Sequence, residues 1–275
     1  GFTRGISVSA FLPALLAHMG QASYSHGVRS VGPKFGVTHA QVLAQIGIDP
    51  LISNQTAAER LADPDIGWAY VDQKMFNPKL HALTDLRTRM IKRSAITTIE
   101  VLLNPIRGRE ATHFMTGYVH TAYPPVYAEL ARFADFDSAI IVRGVEGGIT
   151  PSLQQVGKVY YYYDKGEEQL REIDPTALGI KANKRAEPLP ADLPEPAPGD
   201  GAINSDAVAQ KTAEIGIASL KGNKGLAYDS LVYSAAICLT HLGKYTSMSD
   251  AATAVREVLD SGAMLDRLRS AGATV

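Results

Sequence analysis

The sequence predicts an α/β protein, a mostly parallel sheet flanked by helices. Three observations carry this. The run Ser138-Ala-Ile-Ile-Val-Arg143 is short, apolar and stops at Gly144, as a buried parallel strand does. A helical stretch over residues 125–133 leads directly into it. Strand, glycine-rich turn and helix then recur along the chain, the pattern of a sheet covered by helices.

The elements follow in order. Residues 8–19 are apolar with helical period; Pro13 sits in the first turns and Gly20 stops the helix. Further helices are predicted over 38–46 and 56–62. Residues 156–163 read Val-Gly-Lys-Val-Tyr-Tyr-Tyr-Tyr, a strand whose tyrosines alternate between a packed face and a wet one. Pro188, Pro190, Pro194, Pro196 and Pro198 make residues 186–204 a stiff exposed linker or arm. Amphipathic helices follow at 205–219, 227–242 and 249–269, with Ser249 as N-cap and Gly262 as a break. Residues 1–275 are read as one domain of this class, ending in the helices of 205–270.

Bulk composition narrows the function. The chain has 275 residues, 45% apolar and 20% charged, which suits a globular domain with a real core. A net charge of −1 excludes global attraction to nucleic acid or membrane but leaves room for a local patch. Such a patch exists in sequence. Residues 74–109 carry eight Lys/Arg against two acids, a net of +6, while residues 164–214 carry a net of −5. The basic segment reads either as a solvated face with salt bridges or as a site for a phosphate or polyanion. Cys238 is the single cysteine, so neither an intrachain disulfide nor a thiolate cluster can form. Its apolar neighbours make it a buried structural thiol, and a reducing cytoplasm fits. No apolar run approaches the ~20 residues of a membrane span. The start, Gly-Phe-Thr-Arg-Gly, carries no initiator Met and no signal pattern, and reads as a chain beginning inside a larger protein.

Chemistry concentrates at residues 23–47. A His26-Gly27 turn leads into a loop carrying Arg29, Ser30 and Lys34, broken by Gly32, Pro33 and Gly36, and a helix begins near Val37. Cations, hydroxyls and bare amides ahead of a helix N-terminus are how a fold holds a phosphate.

Six motifs in order resemble one family. The segment 26–36, His-Gly-Val-Arg-Ser-Val-Gly-Pro-Lys-Phe-Gly, is similar to a His-Gly-Asn-Arg-Ser-Val-Ser-Ser-Lys-Ser-Gly loop. Ile6-Ser7-Val8-Ser9-Ala10-Phe11, the Asn77-Pro78 and Leu86-Arg87 steps, Thr98 to Pro105, Ile173 to Ile180, and Leu259-Asp260-Ser261-Gly262-Ala263 each resemble its other segments. The family is anthranilate phosphoribosyltransferase and its relatives, glycosyltransferase family 3, and the likeness runs over nearly the whole chain. It implies the C-terminal α/β domain of such a protein, with most of the helical domain ahead of Gly1, and usually a homodimer.

The resemblance also implies a chemistry: transfer of a phosphoribosyl group from phosphoribosyl pyrophosphate through an oxocarbenium-like transition state, with Mg²⁺ neutralising the pyrophosphate. Carried over residue by residue, Ser7, Ser9, Arg29, Ser30 and Lys34 hold the phosphoribosyl group. His26, Gly27 and Arg87 face the acceptor, Arg87 meeting a carboxylate. The pattern departs in two places. Ser25 and Val28 stand where the family has lysine and asparagine around the His-Gly pair, which argues against anthranilate as sole acceptor. The Asp-Gly-Leu-Asp-Glu metal motif reads Glu146-Gly147-Gly148-Ile149-Thr150, leaving Glu146 as one metal candidate and reducing Mg²⁺ affinity sharply. Three functions follow: a phosphoribosyltransferase-like protein using an acceptor other than or in addition to anthranilate; a non-catalytic relative binding nucleic acid through the basic segment; or a pyrimidine nucleoside phosphorylase-like activity, echoed by residues 92–100.

Overall fold

The computed structural model describes residues 1–32, 34–90, 94–196 and 201–275. Pro33, Lys92, Arg93 and Pro198, each part of a sequence expectation, lie outside the described residues.

Among the described residues, eight strands form three sheets: β1 (Gly5–Ile6), β2 (Ser23–Gly27), β3 (Trp68–Asp72), β4 (His113–Gly117), β5 (Ser138–Val142), β6 (Gly157–Tyr162), β7 (Gln169–Ile173) and β8 (Glu187–Pro188). β2 and β3 pair in parallel, with His26 opposite Val71. β4 and β5 also pair in parallel, but β6 returns antiparallel to β5 and β7 antiparallel to β6. The sheet is therefore mixed. The reason is the connection: the described residues 143–156 hold no crossover helix, and without one the chain can only turn back.

The helices are α1 (Leu12–His18), α2 (His39–Ala44), α3 (Asn54–Ala62), α4 (Gln73–Phe76), α5 (Pro78–His81), α6 (Thr84–Met90), α7 (Ile96–Ile99), α8 (Tyr123–Phe133), α9 (Ser205–Leu220), α10 (Leu226–His241), α11 (Met248–Ser261) and α12 (Met264–Ser270). A 3-10 turn over Val8–Phe11 opens the first helical stretch, and Pro13 sits in the first turn of α1, where its missing N–H costs nothing. α10 is apolar on almost every side because it is the central post of the main core, which it shares with Leu15, Trp68 and Val255. The last helix is split at Gly262, which takes φ +69°. Its cap lies earlier than the sequence suggested: Ser247, not Ser249, accepts the Asp250 N–H at 3.1 Å.

A second core lies under α8, where Phe114 stacks on Phe136 at 4.7 Å beside Ile141 and Tyr162. The tyrosine strand alternates as expected. Tyr162 is buried and donates to the Phe136 carbonyl, while Tyr163 is exposed and stacks on His241. Cys238 is buried against Met115, and burial pushes its thiol up to about 12, so it is inert.

The proline-rich stretch is more than an arm. It starts as β8, which pairs with β1 through Gly5↔Pro188 and Ile6↔Glu187, and Leu189 and Leu193 pack on the main core. Proline is tolerated because β8 is an edge strand. No helix among the described residues is long and apolar enough to cross a membrane.

Candidate anion-binding site

The site is assembled from three places in the chain. The first is the segment of residues 1–4. Phe2 and Val37 exchange two backbone hydrogen bonds of 2.9 Å, which lays this segment against the end of the 27–36 loop. Gly36 makes this possible: a Cβ there would stand 2.6 Å from the Gly1 carbonyl carbon. The second is the loop itself, which leaves β2 at Gly27 and enters α2 through a capping box made by Thr38 and Gln41. The third is the turn after β5, Val145–Gly147, where Glu146 takes φ +53°.

These three parts meet on one carboxylate. Glu146 Oε2 accepts from the Thr3 N–H at 3.1 Å, the Thr3 hydroxyl at 3.2 Å and Lys34 Nζ at 2.9 Å. Glu146 Oε1 accepts from the Arg4 N–H at 2.8 Å. Burial opposes the charged form, but Lys34 and the two backbone donors outweigh it and hold the carboxyl below its ordinary value. A small pocket of about 20 Å³ adjoins the carboxylate and is lined by Ser7, Thr150 and Ser230.

Next to this cradle runs a hydrogen-bonded chain. Ser7 Oγ lies 2.9 Å from Ser9 Oγ, Ser9 Oγ lies 2.9 Å from His39 Nε2, and His39 Nδ1 lies 3.1 Å from Ser25 Oγ. Ser9, Ser25, His26 and His39 all line a cavity of about 800 Å³ that β2 and β4 both border. Burial pushes both histidines down to about 4; His26 adds to the effect on His39, and a bond to the Val101 main chain partly offsets it on His26. Both imidazoles are therefore neutral at pH 7.

The sequence-named residues divide accordingly. Lys34 bonds Glu146, Ser7 lines the small pocket beside it, and Ser9 is bonded to Ser7 and His39. Ser30 Oγ is buried without a hydrogen-bond partner, so it has a hydroxyl to offer a ligand. Arg29 is exposed and reaches Asp206 at 3.4 Å. His26 packs edge-on against Phe76 at 5.7 Å. Gly27 ends β2. Arg87 is committed elsewhere: it is 6% exposed and its guanidinium meets Glu100 at 2.5 Å. The basic segment is likewise divided, since Arg87 and Arg107 are paired with Glu100 and Asp135.

Sequence reasoning missed His39 and the Ser25 link. Nothing in the spacing of residues 9, 25 and 39 marks them as neighbours; only the packing of α2 beside β2 does.

The donor set does not suit Mg²⁺. Both oxygens of Glu146 already accept from nitrogen or hydroxyl donors, and Ile149 packs on the main core. Among the described residues no three His, Cys, Asp or Glu side chains are placed to share a metal. Mg²⁺ in such sites keeps several waters and takes one or two carboxylates plus substrate phosphates; the carboxylate of Glu146 is here engaged by Lys34 and the Thr3 and Arg4 donors instead.

A cation, a hydroxyl and two backbone donors gathered around one carboxylate form an arrangement able to hold an anion. The chain belongs to the glycosyl transferase family: the model of its a/b domain matches residues 3–265. It is 25% identical over 237 residues to an uncharacterized protein of Aquifex aeolicus (strain VF5), covering 86% of this chain and 64% of that protein. It is also 25% identical over 259 residues to anthranilate phosphoribosyltransferase of Sphingopyxis alaskensis, covering 94% of this chain and 70% of that enzyme. The chain thus spans about two thirds of the length of these relatives. Among solved structures, anthranilate phosphoribosyltransferase of Thermus thermophilus superposes with a TM-score of 0.72 at 20% identity, covering 98% of this chain and 73% of that one. The Saccharomyces cerevisiae enzyme in complex with PRPP and Mg superposes with a TM-score of 0.74 at 16% identity, covering 97% and 68%. These superpositions share the fold.

Proposed function

We propose that the protein binds a phosphoribosyl donor such as phosphoribosyl pyrophosphate and transfers or holds its phosphoribosyl group, with an acceptor other than or in addition to anthranilate. The convergence of Lys34, the Thr3 hydroxyl and the Thr3 and Arg4 N–H groups on a single anion carries this reading. Charge-assisted bonds of this kind are what a phosphate group takes. The orphaned hydroxyl of Ser30 supplies one more donor in the same loop.

The acceptor side supports a departure from anthranilate. The neighbouring cavity is lined by neutral His26 and His39 and by apolar side chains such as Leu16, Phe114 and Ile140. Arg87, which would meet an acceptor carboxylate, is spent on Glu100. The apolar and neutral part of these walls suits a flat aromatic amine or base, while Arg107 and Arg109 border the same cavity. In transfer, Lys34 and the backbone donors would stabilise the departing pyrophosphate, whose charge rises as the ribose becomes oxocarbenium-like.

Calorimetric titration with phosphoribosyl pyrophosphate, followed by a pyrophosphate-release screen over amines and bases, tests this. Binding that disappears in Lys34→Ala, with turnover on a non-anthranilate acceptor, is expected. Absence of donor binding at millimolar concentration would overturn it.

A further inference from the structure

Glu146 occupies its place in an unusual way. Four donors end on its carboxylate: the Thr3 N–H, the Thr3 hydroxyl, the Arg4 N–H and the Lys34 ammonium. These donors come from residues 3–4 and the 27–36 loop, while the acceptor comes from the turn after β5, more than 100 positions away. The backbone works to put it there. Glu146 has φ +53°, a left-handed conformation that few non-glycine residues adopt. The turn tolerates it because Gly144, Gly147 and Gly148 surround it. A Cβ on Gly144 would stand 1.5 Å from the Gly148 carbonyl oxygen, so the turn can close only with glycine there.

We infer that the Glu146 carboxylate is a built-in stand-in for the ligand's phosphate, and that a phosphorylated ligand enters by displacing it. This rests on the reading that the cradle takes a phosphorylated ligand. A carboxylate and a phosphate present the same kind of acceptor oxygens to N–H and ammonium donors. Each backbone N–H has one proton to give, so an incoming anion that takes the Thr3 and Arg4 N–H groups must displace Glu146 from them. A tethered carboxylate competes at the high effective concentration that its short turn confers. Its side chain is mostly buried, at 9% exposure, whereas Lys34 on the opposite wall is 27% exposed. The outward-facing partner is the cation, so an incoming anion meets Lys34 first and Glu146 swings away. The carboxylate also explains how this cluster of donors stays satisfied when no ligand is bound.

The experiment is titration of wild type, Glu146→Ala, Glu146→Gln and Lys34→Ala with inorganic pyrophosphate by calorimetry, with thermal melts confirming cooperative folding. Removing the competitor is expected to tighten pyrophosphate binding about tenfold or more in Glu146→Ala. Glu146→Gln keeps an oxygen for the backbone donors but loses the charge, so it should fold as wild type and bind with an intermediate gain. Lys34→Ala should bind weakly or not at all. If wild type binds pyrophosphate through Lys34 and both folded Glu146 variants bind equally or more weakly, the stand-in role is overturned while the phosphate reading survives. If none of the four proteins binds pyrophosphate, the phosphate reading itself falls, and the stand-in role with it. Should Glu146→Ala fail to fold, Glu146→Gln decides alone: a gain supports the inference and no gain overturns it.

Discussion

Lys34 Nζ and Glu146 Oε2 lie 2.9 Å apart although 112 positions separate them in the chain. Their ion pair ties the loop after β2 to the turn after β5. Replacing Lys34 by Met should therefore do two things. Phosphate binding should be lost, and stability should fall by about 1–3 kcal/mol because a mostly buried carboxylate loses its counter-ion. Urea unfolding with a parallel calorimetric titration separates the two effects; loss of binding with unchanged stability would show that the pair contributes nothing to the fold.

Arg87 and Glu100 form a second buried pair, joining α6 to the 3-10 turn over Glu100–Leu102. Arg87→Met should cost about 3 kcal/mol, since it leaves Glu100 uncompensated in a largely buried place. Exposed Arg89→Met should stay within about 0.5 kcal/mol. A loss of ligand affinity in Arg87→Met without a loss of stability would instead place this arginine at the ligand.

Poorly solvated histidines make the fold sensitive to acid. Burial pushes His26, His39 and His241 each down to about 4, with His113 and Arg171 adding to the effect on His241. The unfolded chain takes up protons near pH 6.5, while the folded one resists until about pH 4. Stability is thus full above pH 6.5 and falls, on the order of several kcal/mol in all, as pH drops from 6.5 toward 4. Urea midpoints recorded from pH 7.5 to 4.5 check this; a flat profile is incompatible with buried neutral imidazoles.

Gly144→Ala tests the turn that carries Glu146. The added methyl would collide with the Gly148 carbonyl, a backbone atom that cannot step aside cheaply. A melting temperature lowered by several degrees is expected, equivalent to a loss of about 2 kcal/mol or more. An unaltered melt would mean that the turn is slack and Glu146 is not held in register.

Much of the fold was legible because some segments carry their own signal. β5 is an unbroken apolar run, and α9 to α12 fall on the helical stretches read from the sequence, with the break at Gly262. β2 was not legible as a strand: Ser-Tyr-Ser-His-Gly has neither alternation nor an apolar run, and its extended form is imposed by pairing with β3. At the site, Lys34 could be named from local pattern, whereas Ser7, Ser9 and Glu146 were named only through the family resemblance. The bonds of Lys34 to Glu146 and of Ser9 to His39 were not legible, since tertiary packing alone makes them. Arg87, named through the resemblance as facing the acceptor, is buried and paired with Glu100 on a later element, which its local sequence does not show.

The pairing of β1 with β8 has a consequence for how the molecule is made. Gly5 and Ile6 find their strand partners only at residues 187 and 188, and Thr3 and Arg4 find theirs at Glu146. On a ribosome, residues 3–6 must wait until both partner segments have emerged before they can dock. Contacts so distant in sequence are slow to close. The anion cradle thus cannot close before residue 146 has emerged, and a nascent chain that stops short of Glu146 carries Lys34 without the carboxylate that completes it.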